Sequence, residues 1–217
     1  MFNNKIPIYL SIIALQFLSG SVMYSYIFAK LLRIDLTKVR DGNPGSSNLW
    51  RVAGWKWGFT ALALDYFKGT LPLAIFILKY GQSLNKYIIS LAALAGILGH
   101  AFSPMLKFKG GKAIATSFGA WSVLTKWEGP TILGGVFTAF SVYHMLIGKK
   151  QTTPEEDTIR VLFGYIALLV YVIWKSMHGY YELTILYIGN LFVILYKHRR
   201  ELAKIIFHNK AKARSHV

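Results

Sequence analysis

Long apolar stretches, separated by short basic turns, constrain this 217-residue chain more than any other feature. A helix of about 20 apolar residues matches the hydrocarbon thickness of a bilayer and satisfies its own backbone there. The pattern predicts spans over Ile6 to Leu32, Trp57 to Leu78, Tyr87 to Leu106, Thr131 to Ile147, Ile159 to Trp174 and Tyr181 to Tyr196. Ala113 to Thr125 is apolar but short, and is expected to form a short, tilted or re-entrant fourth helix. The reading is an all-α integral membrane protein of about seven transmembrane helices. It forms a single polytopic domain over residues 1–217, with a basic tail over 197–217. The first apolar stretch exceeds the core of a signal peptide and lacks a cleavage site, so it is read as a retained span.

Charge sets the orientation. On this topology 18 Lys and Arg residues fall on the side of the Arg33–Lys56 loop and five on the other. Excess Lys and Arg mark cytoplasmic loops, which places the amino terminus outside and the carboxyl terminus in the cytoplasm. The net charge of +16 then points to membrane lipids as partners rather than nucleic acid. Without cysteine the chain has no disulfide and no thiolate ligand or nucleophile. The six His show no metal-ligand spacing, so no metal and no cofactor are expected.

Two polar turns carry the chemical signal. In Asp41-Gly42-Asn43-Pro44-Gly45-Ser46-Ser47-Asn48, Gly42 and Gly45 permit backbone amides to form a concave nest for phosphate oxygens. Asn43, Ser46, Ser47 and Asn48 add side-chain donors, and Arg51 adds a bidentate cation. The same composition also suits an ordinary inter-helix turn. The second turn, Lys107-Phe108-Lys109-Gly110-Gly111-Lys112, leads into the fourth apolar segment. Gly110, Gly111 and Lys112 resemble a phosphate site at a helix amino terminus, without the spacing of a P-loop. His100 is the nearby candidate for acid–base or hydrogen-bond work. Asp65 and Lys68 sit three residues apart inside a span, where charges pair or serve function. Asp65 is read as support, paired with Lys68 or bracing Arg51 or Lys112. Thr153-Pro154-Glu155-Glu156 reads as a helix start.

The order of these motifs resembles the bacterial acyl-phosphate:glycerol-3-phosphate acyltransferase family of the PlsY type. The likeness runs from Gly20-Ser21 through Asp35-Leu36, Gly42-Asn43-Pro44-Gly45, Asn48 and Arg51, and Asp65-x-x-Lys68-Gly69. It continues over Gly99-His100 to Lys112-Ala113 and ends at Tyr196-Lys197-His198-Arg199. The resemblance implies a seven-span bundle in the bacterial cytoplasmic membrane, with its active site on the cytoplasmic side. It implies acyl transfer from acyl phosphate to the 1-hydroxyl of glycerol 3-phosphate, giving lysophosphatidic acid in phospholipid biosynthesis. His100, Asn43 and His198 are the implied catalytic residues. Gly42, Gly45, Ser46, Ser47, Asn48, Arg51, Lys68, Gly110, Gly111 and Lys112 are the implied phosphate-binding set. Another phosphorylated polyol acceptor, or organic-anion transport, are the alternative readings.

The chain also departs from that pattern. Arg40-Asp41 stands where the family has glycine-serine, Thr37 replaces an arginine, and Glu201 replaces an asparagine three residues after His198. Lys149 to Asp157 replaces a serine-rich element, and Pro104 falls one residue late. A carboxylate at position 41 is expected to weaken phosphate binding unless Arg40 compensates.

Overall fold

The computed structural model describes residues 5–81, 84–149 and 151–214, with side chains as far as Phe207. Lys150 and the last three residues of the expected tail lie outside the described residues. Among the described residues every regular element is helical. The first predicted span is two helices, α1 (Ile6–Ser21) and α2 (Tyr24–Leu31). Val22 between them is extended, which breaks the backbone ladder. The carbonyls released there are satisfied from elsewhere: Ser103 Oγ donates to the Ser21 carbonyl, and Lys68 Nζ to that of Val22. A break inside an apolar segment persists only with such partners.

The following loop contains a helix that no apolar run announced, α3 (Ser46–Ala53), closed by Gly54 at positive φ. Then come α4 (Trp55–Tyr80) and α5 (Lys86–Ala101). The chain continues through α6 (Ile114–Thr125), α7 (Glu128–Leu146), α8 (Pro154–Met177) and α9 (Glu182–Lys197). The basic tail is helical as α10 (Arg199–Arg214). Among the described residues four stretches are long and apolar enough to cross a membrane: Ile6–Leu31, Trp55–Tyr80, Lys86–Leu106 and Pro154–Met177. The segment Ile114–Thr125 is shorter, as its apolar length predicts.

Small residues let α1 and α5 approach closely. A Cβ on Gly20 would strike the Gly96 backbone, and one on Gly99 would strike the Phe17 carbonyl. Close backbone contact is how helices gain packing energy where lipid removes the hydrophobic drive. A buried polar network ties α6, α8 and α9 together. Asn190 Oδ1 accepts from Trp121 Nε1 at 3.0 Å and from Tyr165 OH at 2.7 Å, and Asn190 Nδ2 donates to Ser117 Oγ at 2.9 Å. Each polar group in that network is then satisfied within the apolar core.

The helices meet at two ends. At one, Lys175 Nζ lies 2.6 Å from Glu128, and the amide of Asn85 donates to Tyr9 OH. At the other, the loop before α3, the turn before α6, the start of α8 and the start of α10 converge. Thr153 and Glu156 close a capping box around Pro154 at the start of α8, the helix start read from the sequence. That cap places Asp157 and Arg160 three residues apart on one helical face.

Candidate functional site

A cleft of about 240 Å³ lies where these four segments converge, and its wall includes Asn43, Ser46, Ser47, His100, Lys112 and His198. Residues 43 and 198 are 155 positions apart in the chain, so only the fold brings them together.

Asp41 organises the first turn. Gly42 takes φ +70, and Asp41 Oδ1 accepts from the Asn43 amide at 3.3 Å. Asn48 is buried, and its Nδ2 donates towards Asp41 Oδ1 at 2.8 Å and the carbonyls of Val39 and Asn43 at 3.0 Å. An amide nitrogen has two hydrogens. Those three acceptors consume them, so Asn48 stitches the turn. Gly45 begins α3 without a side-chain cap, and Ser46 and Ser47 face the cleft from its first turn.

Lys112 is the hub. Its Nζ lies 2.9 Å from Asp41 Oδ2 and 2.9 Å from Glu201 Oε1. Two departures from the family pattern, 160 residues apart, therefore meet on one ammonium. Burial pushes the Asp41 carboxyl up, but the Lys112 ammonium and the Asn48 and Asn43 donors outweigh it, and its net shift is downward. Lys112, not Arg40, pairs the Asp41 charge. Arg40 turns to Asp157 Oδ2 at 2.7 Å and to the Thr152 carbonyl at 2.8 Å.

His198 is buried beside this hub. Its Nδ1 lies 2.9 Å from the Ile194 carbonyl. A carbonyl only accepts, so Nδ1 carries the proton and Nε2 keeps a free lone pair. Burial, reinforced by the Lys112 charge, lowers its pKa to about 4, so the ring is neutral at pH 7.

His100 closes the cleft from α5. Thr116 Oγ1 donates to the Asp65 carbonyl at 3.1 Å and lies 3.3 Å from His100 Nδ1. With the hydroxyl proton engaged, Nδ1 is the donor in that contact and Nε2 again is the acceptor. Asp65 Oδ1 lies 3.8 Å from the same Nδ1 and 2.7 Å from Lys68 Nζ. The Gly110-Gly111 turn lies against this histidine. A Cβ at Gly111 would strike the His100 ring and one at Gly110 the His100 carbonyl. Lys197 Nζ fastens the turn by donating to the carbonyls of Ala101 and Gly110.

Not every expected residue faces the cleft. Lys68 is buried on Asp65 and the Val22 carbonyl, with the Tyr24 ring 5.6 Å away. Gly42, Gly110 and Gly111 shape the two turns from behind the wall. Arg51 is exposed one helical turn after Ser47, whose carbonyl it bonds at 3.2 Å. Partial burial, and then the Arg40 charge, hold its pKa below the ordinary arginine value. Arg40, Asp157 and Arg160 line the cleft and were not among the expected site residues.

A family model described as glycerol-3-phosphate acyltransferase matches residues 10–208. The chain is 65% identical to glycerol-3-phosphate acyltransferase 1 of Thermotoga maritima, over 90% of this chain and 96% of that one. It is 34% identical to the glycerol-3-phosphate acyltransferase of Aquifex aeolicus, over 91% and 95% of the two chains. The fold is similar to a crystal structure of PlsY (YgiH), an integral membrane glycerol 3-phosphate acyltransferase, in its glycerol 3-phosphate form. That likeness has a TM-score of 0.74 at 24% identity and covers 92% of each chain.

Proposed function

The chain belongs to the glycerol-3-phosphate acyltransferase family, and from that premise we propose that its cleft moves an acyl group from acyl phosphate to the 1-hydroxyl of glycerol 3-phosphate. The products are lysophosphatidic acid and phosphate. One observation carries the reading: a single cleft joins a phosphate-type turn, a lysine hub and two histidines whose Nδ1 atoms contact protein oxygens.

The reaction needs positioning more than activation, because acyl phosphate is already a mixed anhydride with a good leaving group. The turn over Gly42 to Asn48 and the start of α3 cradle the leaving phosphate, and Lys112 neutralises the charge it gains. His198 Nε2 accepts the proton of the attacking hydroxyl, and His100 Nε2 orients the acceptor from the opposite side. Asp65 holds the His100 neighbourhood through Lys68 and Thr116. No step routes the acyl group through a protein nucleophile. Leu62, Ile114 and Val161 give the cleft an apolar side that suits the start of an acyl tail.

The protein sits in the bacterial cytoplasmic membrane with about seven crossings and the cleft facing the cytoplasm. The split of 18 basic residues against five supports that orientation. So does the position of the cleft, whose wall includes Arg40 and Lys112 from two of the basic loops. Purified protein supplied with acyl phosphate and glycerol 3-phosphate tests the reading. Lysophosphatidic acid forms with wild type and is lost with a folded Lys112→Ala variant. Uptake of labelled anion into liposomes without acylated product would replace acyl transfer by transport.

A further inference from the structure

Two phosphates must occupy the cleft, yet the lysine hub cannot serve both. Lys112 brings one positive charge against two carboxylates, Asp41 and Glu201. Elsewhere on the same wall the balance reverses. Arg40 and Arg160 bring two positive charges against Asp157 alone. We propose that Arg40 and Arg160, held by Asp157, form the subsite for the acceptor's phosphomonoester, an assignment that rests on the acyl-transfer reading.

The pair is built before any ligand arrives. Asp157 takes Arg40 Nη1 at 2.7 Å on one oxygen and Arg160 Nη2 at 3.1 Å on the other. Thr152 Oγ1 donates to the second oxygen at 2.9 Å, and the Thr152 carbonyl takes Arg40 Nη2. The Arg160 guanidinium lies 5.2 Å from the Phe137 ring centre, a stacking distance. Neither arginine has to be ordered when substrate binds, which removes a cost of association.

Donors remain for a ligand. A guanidinium carries five N–H groups. Among the described residues Arg160 Nε is buried without a hydrogen-bond partner, and an unmet buried donor of this kind is costly. Planar forks suit the paired oxygens of a phosphate. Arg51 adds a third cation nearby, since its charge is felt with those of Arg40, Asp157 and Arg160. The arrangement also accounts for two departures together. Arg40 and the segment ending at Asp157 replace glycine and serine-rich elements of the family, and here they are each other's partners. A site that reads its acceptor through arginine forks selects a phosphorylated polyol over an uncharged one.

Arg160→Gln, Arg160→Lys and Arg40→Gln in the full chain test the assignment. With Arg160→Gln the KM for glycerol 3-phosphate rises about tenfold or more, while kcat and the KM for acyl phosphate stay within about threefold. Arg160→Lys recovers part of the loss, because charge returns without the fork. An unchanged KM for glycerol 3-phosphate, or equal rises for both substrates, overturns the proposal. Calorimetric titration with inorganic phosphate and with glycerol 3-phosphate supplies a second arm. If wild type transfers no acyl group, the acyl-transfer reading fails by itself. Calorimetry then judges the arginines: binding lost in Arg160→Gln supports the subsite, and equal binding in variant and wild type rejects it. Should Arg160→Gln not fold, Arg40→Gln, from the loop, gives the same two outcomes.

Discussion

A phosphate that uses Lys112 must share it with Asp41 and Glu201, and that competition can be measured. The perturbation is Asp41→Asn and Glu201→Gln, singly and together. Both changes remove charge while keeping size, and the amide oxygen introduced by Asp41→Asn still accepts from Asn48 and the Asn43 amide. The two carboxylate oxygens sit 2.9 Å from Nζ. A phosphate oxygen at a similar distance, tetrahedrally placed, would lie about 4.7 Å from each. Two unit charges at that separation repel by about 3.5 kcal/mol at an effective dielectric of 20. Solvent in an open cleft leaves roughly a third to a half of that, about 1–2 kcal/mol. Each single variant therefore lowers the KM for acyl phosphate by about five- to thirtyfold. The double variant gains less than the sum, because the two carboxylates share one partner and Lys112 loses its anchor when both are neutral. The assay is initial rate against acyl phosphate at saturating glycerol 3-phosphate. A KM unchanged within about twofold in the double variant would refute the competition, and with it the placement of the leaving phosphate at Lys112.

Three further outcomes follow from the geometry. Folded His198 takes its proton near pH 4 and the unfolded chain near 6.5, so between them the unfolded state binds more protons. Wild type therefore loses stability relative to His198→Asn as pH falls across that window, by about 3 kcal/mol at most. Thermal unfolding in detergent, with parallel pH curves for the two proteins, would contradict it. Asn190→Leu orphans Trp121, Tyr165 and Ser117 and costs about 2–4 kcal/mol, seen as a lower unfolding temperature; no shift would remove the network's role. Gly111→Ala forces a methyl into the His100 ring and is expected to cut kcat at least about tenfold with a smaller change in unfolding temperature; normal kcat would detach His100 from the reaction.

What the sequence disclosed depends on the range of the interaction. The long apolar helices were legible because burial in lipid leaves a continuous local signature, and the start of α8 because its cap spans four residues. The break at Val22 was not, since its cause lies in Lys68 and Ser103, distant side chains that satisfy the freed carbonyls. Helix α3 was hidden because a polar eight-residue helix leaves no apolar run. Asn48 reads as a substrate donor from its turn composition, and only the loop carbonyls around it show that its hydrogens are engaged. The charge pairings were furthest from view. Arg40 was expected to offset Asp41 at the phosphate site, but Arg40 takes positive φ and the two side chains go to different partners, Asp157 and Lys112. Pairs separated by 117 and 71 residues have no local signature. Arg160 escaped notice for the same reason, although its spacing of three from Asp157 was a weak sign of a shared face.

On the acyl-transfer reading one cleft holds acyl phosphate and glycerol 3-phosphate at the same time and passes the acyl group directly between them. Initial rates measured with both substrates varied test it most directly. Double-reciprocal lines that intersect, showing a complex of enzyme with both substrates, are the predicted result. Parallel lines, showing that phosphate leaves before the acceptor binds and that the acyl group rests on the protein, would contradict it.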